Sequence, residues 1–307
     1  MSKVVVLFSG QGAQKVGMGK DLYESSELAK DLFEAADEAL GFSLSQIMFE
    51  GPEEELTKTS RCQPALYLHG LTCLALLQER FPQLEITAAA GLSLGEFTAH
   101  AAAETFSFEE GLNIVAQRGQ FMEEACNNTK GSMAAMIGGD QADVEALASE
   151  SDVDVANFNA PGQIVLSGTV EGIDIAVENA KSKGIKIAKK LEVAGAYHSR
   201  LMQSAQDKLA PVLASAELET PNVPVICNFT AEQVESAESI RTSLEQQVTG
   251  SVRWTESMQK LIADGHTVFL ELGPARVLAG LMKRIDKSVK VISVEDIPSL
   301  EAALLEL

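Results

Sequence analysis

Short β-branched runs alternate along this chain with stretches of helical apolar period, and that alternation predicts an α/β fold. The unbroken apolar run at 4–8 predicts a first strand, and helical patterns follow at 22–40 and, more apolar, at 64–79. Residues 86–90 predict a small strand that runs into a glycine turn at Gly91, with helices at 96–103 and 108–125 behind it. The polar stretch 127–131 has linker composition. After it the rhythm changes to strand 132–137, helix 141–148, strands 153–158 and 163–167 joined by Asn159-Ala160-Pro161-Gly162, helix 173–183 and strand 185–193. That β-α-β-β-α-β order is a ferredoxin-like unit. The first rhythm resumes from Ser199, with helices at 199–214, 256–264 and 276–285 and strands at 223–227, 268–272 and 289–294. The organisation expected is a large α/β subdomain (1–130 and 196–307), an inserted small subdomain (131–195), and a cleft between them.

Composition narrows the chemistry. With 307 residues, 46% of them hydrophobic, a large core is available. A net charge of −20 argues against nucleic acid or an anionic membrane as partner, and a phosphate-bearing ligand would need a local basic patch. The cysteines Cys62, Cys73, Cys126 and Cys227 have no C-x-x-C spacing, so neither a metal site nor a redox motif is expected. No run approaches the ~20 apolar residues of a membrane span, and the run at 4–8 is too short for a signal peptide. These features place the chain in the cytoplasm.

Gly91-Leu92-Ser93-Leu94-Gly95 fits G-x-S-x-G between a predicted strand and a predicted helix. This is the setting in which a serine sits on a sharp turn as a nucleophile, with small residues on both sides. The fold class expected is therefore α/β, an α/β-hydrolase-like large subdomain carrying the ferredoxin-like insertion. The helix amino terminus would direct free N–H groups at the serine, Leu94 N–H first among them, as half of an oxyanion hole. An ordinary helix-capping serine remains the alternative.

Four histidines compete for the role of base. His69 lies in an apolar helix, and His266 begins a strand after Gly265. His100 is one helix length from Ser93, roughly 10 Å at 1.5 Å per residue. His198 ends Gly195-Ala196-Tyr197-His198, after a strand and before a helix, where functional groups of open α/β sheets gather. It is the candidate base, with a capping role as alternative. Arg118 sits among Ile114, Phe121, Leu112, Val115 and Met122 on an apolar helix face, so a half-buried arginine seeking an anion is expected. The anion is either a substrate carboxylate, gripped by the guanidinium fork, or a structural Asp or Glu.

Taken together, Ser9-Gly10-Gln11-Gly12-Ala13-Gln14, the serine turn, Arg118-Gly119, Asn159-x-Pro161-Gly162-Gln163, Ala196-Tyr197-His198-Ser199 and Glu271-Leu272-Gly273-Pro274 resemble the malonyl-CoA:acyl-carrier-protein transacylase family over nearly the whole chain. The resemblance implies ping-pong transfer of a malonyl group from malonyl-CoA through Ser93 to the phosphopantetheine thiol of a transiently bound acyl carrier protein, by a monomer without cofactor. It implies that the Gln11 N–H joins that of Leu94 in the oxyanion hole and that Arg118 holds the malonate carboxylate. It implies that the main chain of Gln247 orients His198, and that Leu92, Asn159 and Tyr197 line the acyl pocket. Leu94 and bulky Tyr197 fit a malonyl rather than methylmalonyl pocket. Two departures stand out: Leu92 where the family usually has His, and Tyr197 where Phe is commoner.

The densest basic run, Lys181 to Lys190, leads toward His198, with Arg200 and Lys283-Arg284 as additions. Lys186, Lys189 and Lys190 are candidates for docking the acidic carrier protein or CoA phosphates, against a merely solvated face. Three rival functions stay open at this level: acyl transfer in a polyketide pathway, a serine thioesterase or esterase, and a non-catalytic acyl- or CoA-binding module.

Overall fold

The structure is a computed structural model that describes residues 3–307, so Met1 and Ser2 lie outside the described residues. The strands are β1 (Lys3–Phe8), β2 (Glu85–Gly91), β3 (Gly131–Ile137), β4 (Asp154–Ala160), β5 (Gln163–Thr169), β6 (Ile187–Lys190), β7 (Val225–Ile226), β8 (Gln233–Val234), β9 (Val268–Leu272) and β10 (Lys290–Val294). A six-stranded sheet has the order β10-β9-β1-β2-β7-β8 and is parallel except for the β7–β8 pair. β1 is central and fully paired, with Val6 opposite Ala89 on one side and Leu270 on the other. Its continuous apolar run follows from that position, since helices cover both faces of a parallel sheet. Val4, Val6 and Phe8 enter one core cluster, and Val5 and Leu7 enter the other.

The second sheet has the order β4-β5-β3-β6, antiparallel throughout. The helices Gln141–Glu150 and Val170–Asn179 pack on one face through Val144, Leu147, Ile173 and Ala176. This is the ferredoxin-like arrangement, and the whole is the α/β fold expected. The β4 edge is bonded to the large subdomain through Val252, which lies outside both sheets: Phe158 N–H donates to Val252 O (2.9 Å) and Val252 N–H to Ala156 O (2.8 Å).

Several boundaries differ from the sequence reading. Asn127 and Asn128 complete the helix Phe108–Asn128 and Gly131 already begins β3, so the expected linker shrinks to two residues. The helical pattern at 22–40 is two helices, Lys20–Ser25 and Glu27–Leu40, broken at Ser26, whose backbone is extended. The apolar helix starts earlier, at Thr59, and Pro64 is accommodated within its early turns. Within the stretches 185–193 and 223–227 the strands extend only over β6 and β7. Helices Leu44–Glu50, Ala237–Gln246 and Ile297–Glu306 were not anticipated.

Glu271, at the end of β9, fixes one wall of the cleft. Its carboxylate accepts from the N–H groups of Leu278 (2.7 Å) and Ala279 (3.0 Å) and from Ser293 Oγ (2.9 Å). It therefore caps the helix Val277–Ile285, whose amino terminus has no side-chain cap of its own. Replacing Glu271 by Ala leaves buried donors unpaired and is expected to cost about 3 kcal/mol, read from urea unfolding. An unchanged unfolding midpoint would contradict this assignment.

Candidate active site

Ser93 stands where β2 turns into the helix Leu94–Ala102. Its backbone is strained, with φ 57° and ψ −109°. The turn is so tight that a Cβ on Gly91 would lie 1.9 Å from the Gly95 carbonyl oxygen, and one on Gly95 2.1 Å from that of Phe8. Glycine is the residue that lets the turn and the end of β1 pass this closely. Asn228, just beyond β7, holds the turn in place. Its Oδ1 accepts from Ser93 N–H (2.6 Å) and its Nδ2 donates to Gly91 O (2.8 Å). Gln11 and Leu94 line the cleft with Ser93, and among the described residues neither main-chain N–H is engaged in a hydrogen bond. Two free donors thus flank the serine at the carboxyl ends of β1 and β2.

His198 is buried, and its Nε2 lies 2.7 Å from Ser93 Oγ. Its Nδ1 lies 2.8 Å from the main-chain oxygen of Gln247. A carbonyl can only accept, so Nδ1 carries the proton and Nε2 is left to receive one from the serine. Burial, and next the Arg118 charge, pull the imidazole from 6.5 down to about 4, so it is neutral at physiological pH. The other three histidines have separate partners: His69 meets Glu295 O, His100 meets Thr105 and His266 meets Thr87.

Arg118 is more deeply buried than the half-buried state expected, with 1% of its surface exposed. Among the described residues it makes no ion pair, and the Glu96 carboxyl acts on it at longer range, across the Gln247 amide. Its Nη1 donates to Gln63 Oε1 (2.6 Å), and its Nη2 to Gln247 Oε1 (2.8 Å) and Ser93 Oγ (3.2 Å). Its Nε–H has no partner. Burial lowers this guanidinium to about 10, which leaves it a cation at neutral pH. A positive charge held by neutral amides beside a serine hydroxyl can bind an incoming carboxylate.

The remaining predicted residues divide. Gln247, Leu92, Asn159 and Tyr197 are all at the site, and the last three line a cleft of about 310 Å³. The Asn159 Oδ1 is buried without a partner. Leu92 packs against the cluster on the Val5 and Leu7 face of the large sheet. The Tyr197 hydroxyl is 2.6 Å from Thr59 Oγ1 and 3.4 Å from Gln11 Nε2, so it braces the Gln11 side chain. The basic run does not act as a block. Lys190 pairs with Asp174, Lys183 with Glu150, and Arg200 with Asp152 and Asp154; within β6 Lys189 and Lys190 point to opposite faces. Lys186 and Lys189 have no ion pair among the described residues, and Lys189 shares the cleft-side face of β6 with exposed Ile187.

Sequence reasoning missed Gln63, Asn228, Thr59 and Glu96. Glu96 had a signal, since Ser93-x-x-Glu96 is a capping-box pattern, but its side chain turns inward. Gln63 and Asn228 are amides remote from any motif, and only the fold brings them to Arg118 and Ser93.

A serine hydrogen-bonded to a neutral histidine beside a buried cation is an arrangement suited to acyl transfer, and the chain belongs to the acyl transferase domain family, whose model matches residues 5–302. It is 44% identical to the malonyl CoA-acyl carrier protein transacylase of Bacillus subtilis (strain 168), over 99% of this chain and 97% of that one. Its structure superposes on the acyl-carrier-protein S-malonyltransferase of Bartonella henselae with a TM-score of 0.94 at 38% identity, covering 100% and 99% of the two chains. It also matches a malonyl-transacylase solved in complex with its type II PKS acyl-carrier protein, with a TM-score of 0.96 at 36% identity and full coverage of both chains.

The depressed imidazole has a readable consequence. The neutral form is the one able to take a proton, so sulfonylation of Ser93 by an uncharged sulfonyl fluoride should stay level from neutrality to pH ~5. It should then fall as the pH drops through about 4. An acid limb near 6.5, the ordinary histidine value, would show that burial does not depress His198 in solution.

Proposed function

We propose that this protein transfers a malonyl group from malonyl-CoA to the phosphopantetheine thiol of acyl carrier protein through a malonyl ester on Ser93, supplying fatty acid synthesis. The observation that carries this reading is Arg118, a buried cation 3.2 Å from the Ser93 hydroxyl with no ion pair among the described residues. The free carboxylate of a malonyl thioester completes it, and the fork geometry then sets the thioester carbonyl over Ser93.

Ser93 Oγ attacks that carbonyl while His198 Nε2 takes the hydroxyl proton. The Gln11 and Leu94 N–H groups receive the oxyanion. The C–S bond breaks, and the CoA sulfur leaves with the proton from His198. In the second half His198 takes the proton of the carrier thiol, whose sulfur attacks the ester carbonyl. The C–O bond breaks and the proton returns to Ser93. The Gln247 carbonyl supports the imidazolium in place of an acid. Each step is assigned to a group of this chain, working as a monomer in the cytoplasm and needing no metal or cofactor. Asn159, Tyr197 and Leu92 line the acyl pocket, and Leu92 gives it an apolar wall where the family usually has His. Residues 131–195 act as the small subdomain, which closes the cleft against 1–130 and 196–307. The match to a transacylase solved with a type II PKS carrier keeps transfer in a polyketide pathway as the alternative reading.

Mixing the protein with malonyl-CoA should leave a malonyl adduct on Ser93, seen by peptide mass spectrometry and discharged by added carrier protein. In R118A the preference for malonyl-CoA over acetyl-CoA should fall about 100-fold. Discharge to water at the same rate with and without carrier protein would favour a thioesterase.

Lys186 and Lys189 are proposed to meet an acidic carrier, since both are exposed and make no ion pair among the described residues, and Lys189 shares one face of β6 with exposed Ile187. The double reversal K186E/K189E should raise KM for the carrier protein about fivefold or more and leave Ser93 malonylation by malonyl-CoA intact. An unchanged KM would remove these lysines from the docking surface.

A further inference from the structure

We propose that Glu96, which does not line the cleft, is the positioning residue that holds Ser93, His198 and Arg118 in register; the proposal rests on the malonyl-transfer reading and deepens it. Glu96 is fully buried in the first turn of the helix that follows Ser93. The capping-box pattern would return its carboxylate toward the Ser93 N–H. That N–H is taken by Asn228, and the carboxylate points instead at two residues from a distant part of the chain.

Both of its hydrogen bonds fall on one oxygen. Oε2 accepts from Asn228 N–H (3.0 Å) and from Gln247 Nε2 (2.7 Å), while Oε1 has no partner. Through Asn228 the anchor reaches the turn itself, since the same residue clamps Gly91 O and Ser93 N. Through Gln247 it reaches everything else. The Gln247 amide donates to Ser93 O (2.9 Å) and accepts from Arg118 Nη2 (2.8 Å), and its main-chain oxygen holds His198 Nδ1 (2.8 Å).

The orientation of that amide is forced. Flipped, it would set its NH2 against the Arg118 guanidinium and its oxygen against the Glu96 carboxylate and the Ser93 carbonyl. Glu96 and Arg118 therefore read opposite ends of one amide and fix it between them. Burial raises the Glu96 carboxyl, and an acid in which Oε1 carries the proton keeps Oε2 as acceptor for both bonds. A glutamine here can do the same with its single oxygen, whereas an alanine or an aspartate cannot reach.

The experiment compares the parent protein with E96Q, E96A and E96D, reading the single-turnover rate of Ser93 malonylation and the rate of sulfonylation by an uncharged sulfonyl fluoride. In the latter the S–F bond breaks, fluoride leaves and the serine proton passes to His198. It therefore reports serine–histidine alignment without Arg118. E96A and E96D should slow both reactions about 100-fold, as misplacement on the ångström scale does, and E96Q should stay within about threefold of the parent. E96D carries the same expectation should E96A not fold. Melting temperatures taken alongside separate the roles: a merely structural glutamate lowers them and leaves the rates of the folded protein unchanged. E96A or E96D reacting at the parent rate overturns the proposal, as does E96Q losing as much as E96A. A parent protein inert to both reagents would instead overturn the reading of Ser93 as nucleophile.

Discussion

A full positive charge buried among amides is the interaction around which this protein is arranged. Desolvating a guanidinium is expensive, and the usual remedy is a carboxylate partner. Arg118 is given Gln63 and Gln247 instead, oriented so that their oxygens face it. The arrangement satisfies hydrogen bonds without a direct ion pair among the described residues, and the Glu96 carboxyl acts on the charge only across the Gln247 amide. The same charge lies near His198 and helps keep that imidazole neutral, the state needed to accept a proton. One buried cation is thus held by amides and in turn shifts the titration of the neighbouring histidine.

The topology supplies what the charge needs. The ends of β1, β2 and β7 lie side by side in a parallel sheet, so Gln11, Ser93 and Asn228 converge although they are far apart in sequence. The β4 edge of the small sheet is bonded to the segment around Val252. That segment follows Gln247, whose carbonyl faces His198. Holding the small sheet's β4 edge and orienting the histidine are therefore linked through one short stretch of chain.

Much of the fold was legible because the large sheet is central and parallel. Residues 4–8 read as a strand since both faces are buried, and the change of rhythm near residue 131 marked the second sheet. Boundaries slipped where polar residues continue a helix, as at Asn127 and Asn128, and where apolar residues lie outside a strand, as at Val223. The amphipathic helices Ala237–Gln246 and Ile297–Glu306 escaped notice because charged residues outnumber the apolar ones that pack, or because a helix follows directly on the last strand.

The sequence by itself determined the chemistry that short spacing encodes. The serine turn needs its glycines within two residues on either side, and the apolar periods dictate which elements can form. The sequence also singled out His198 and, through the family resemblance, the main chain of Gln247. Tertiary structure alone decided which oxygens surround Arg118 and where Glu96 points. Gln63 and Asn228 have no local pattern, since an amide becomes functional only when the fold places a donor and an acceptor at its two ends. The lysines behaved likewise: in one basic run Lys183 and Lys190 form separate ion pairs, while Lys186 and Lys189 have none among the described residues, Lys189 and Lys190 lying on opposite faces of β6.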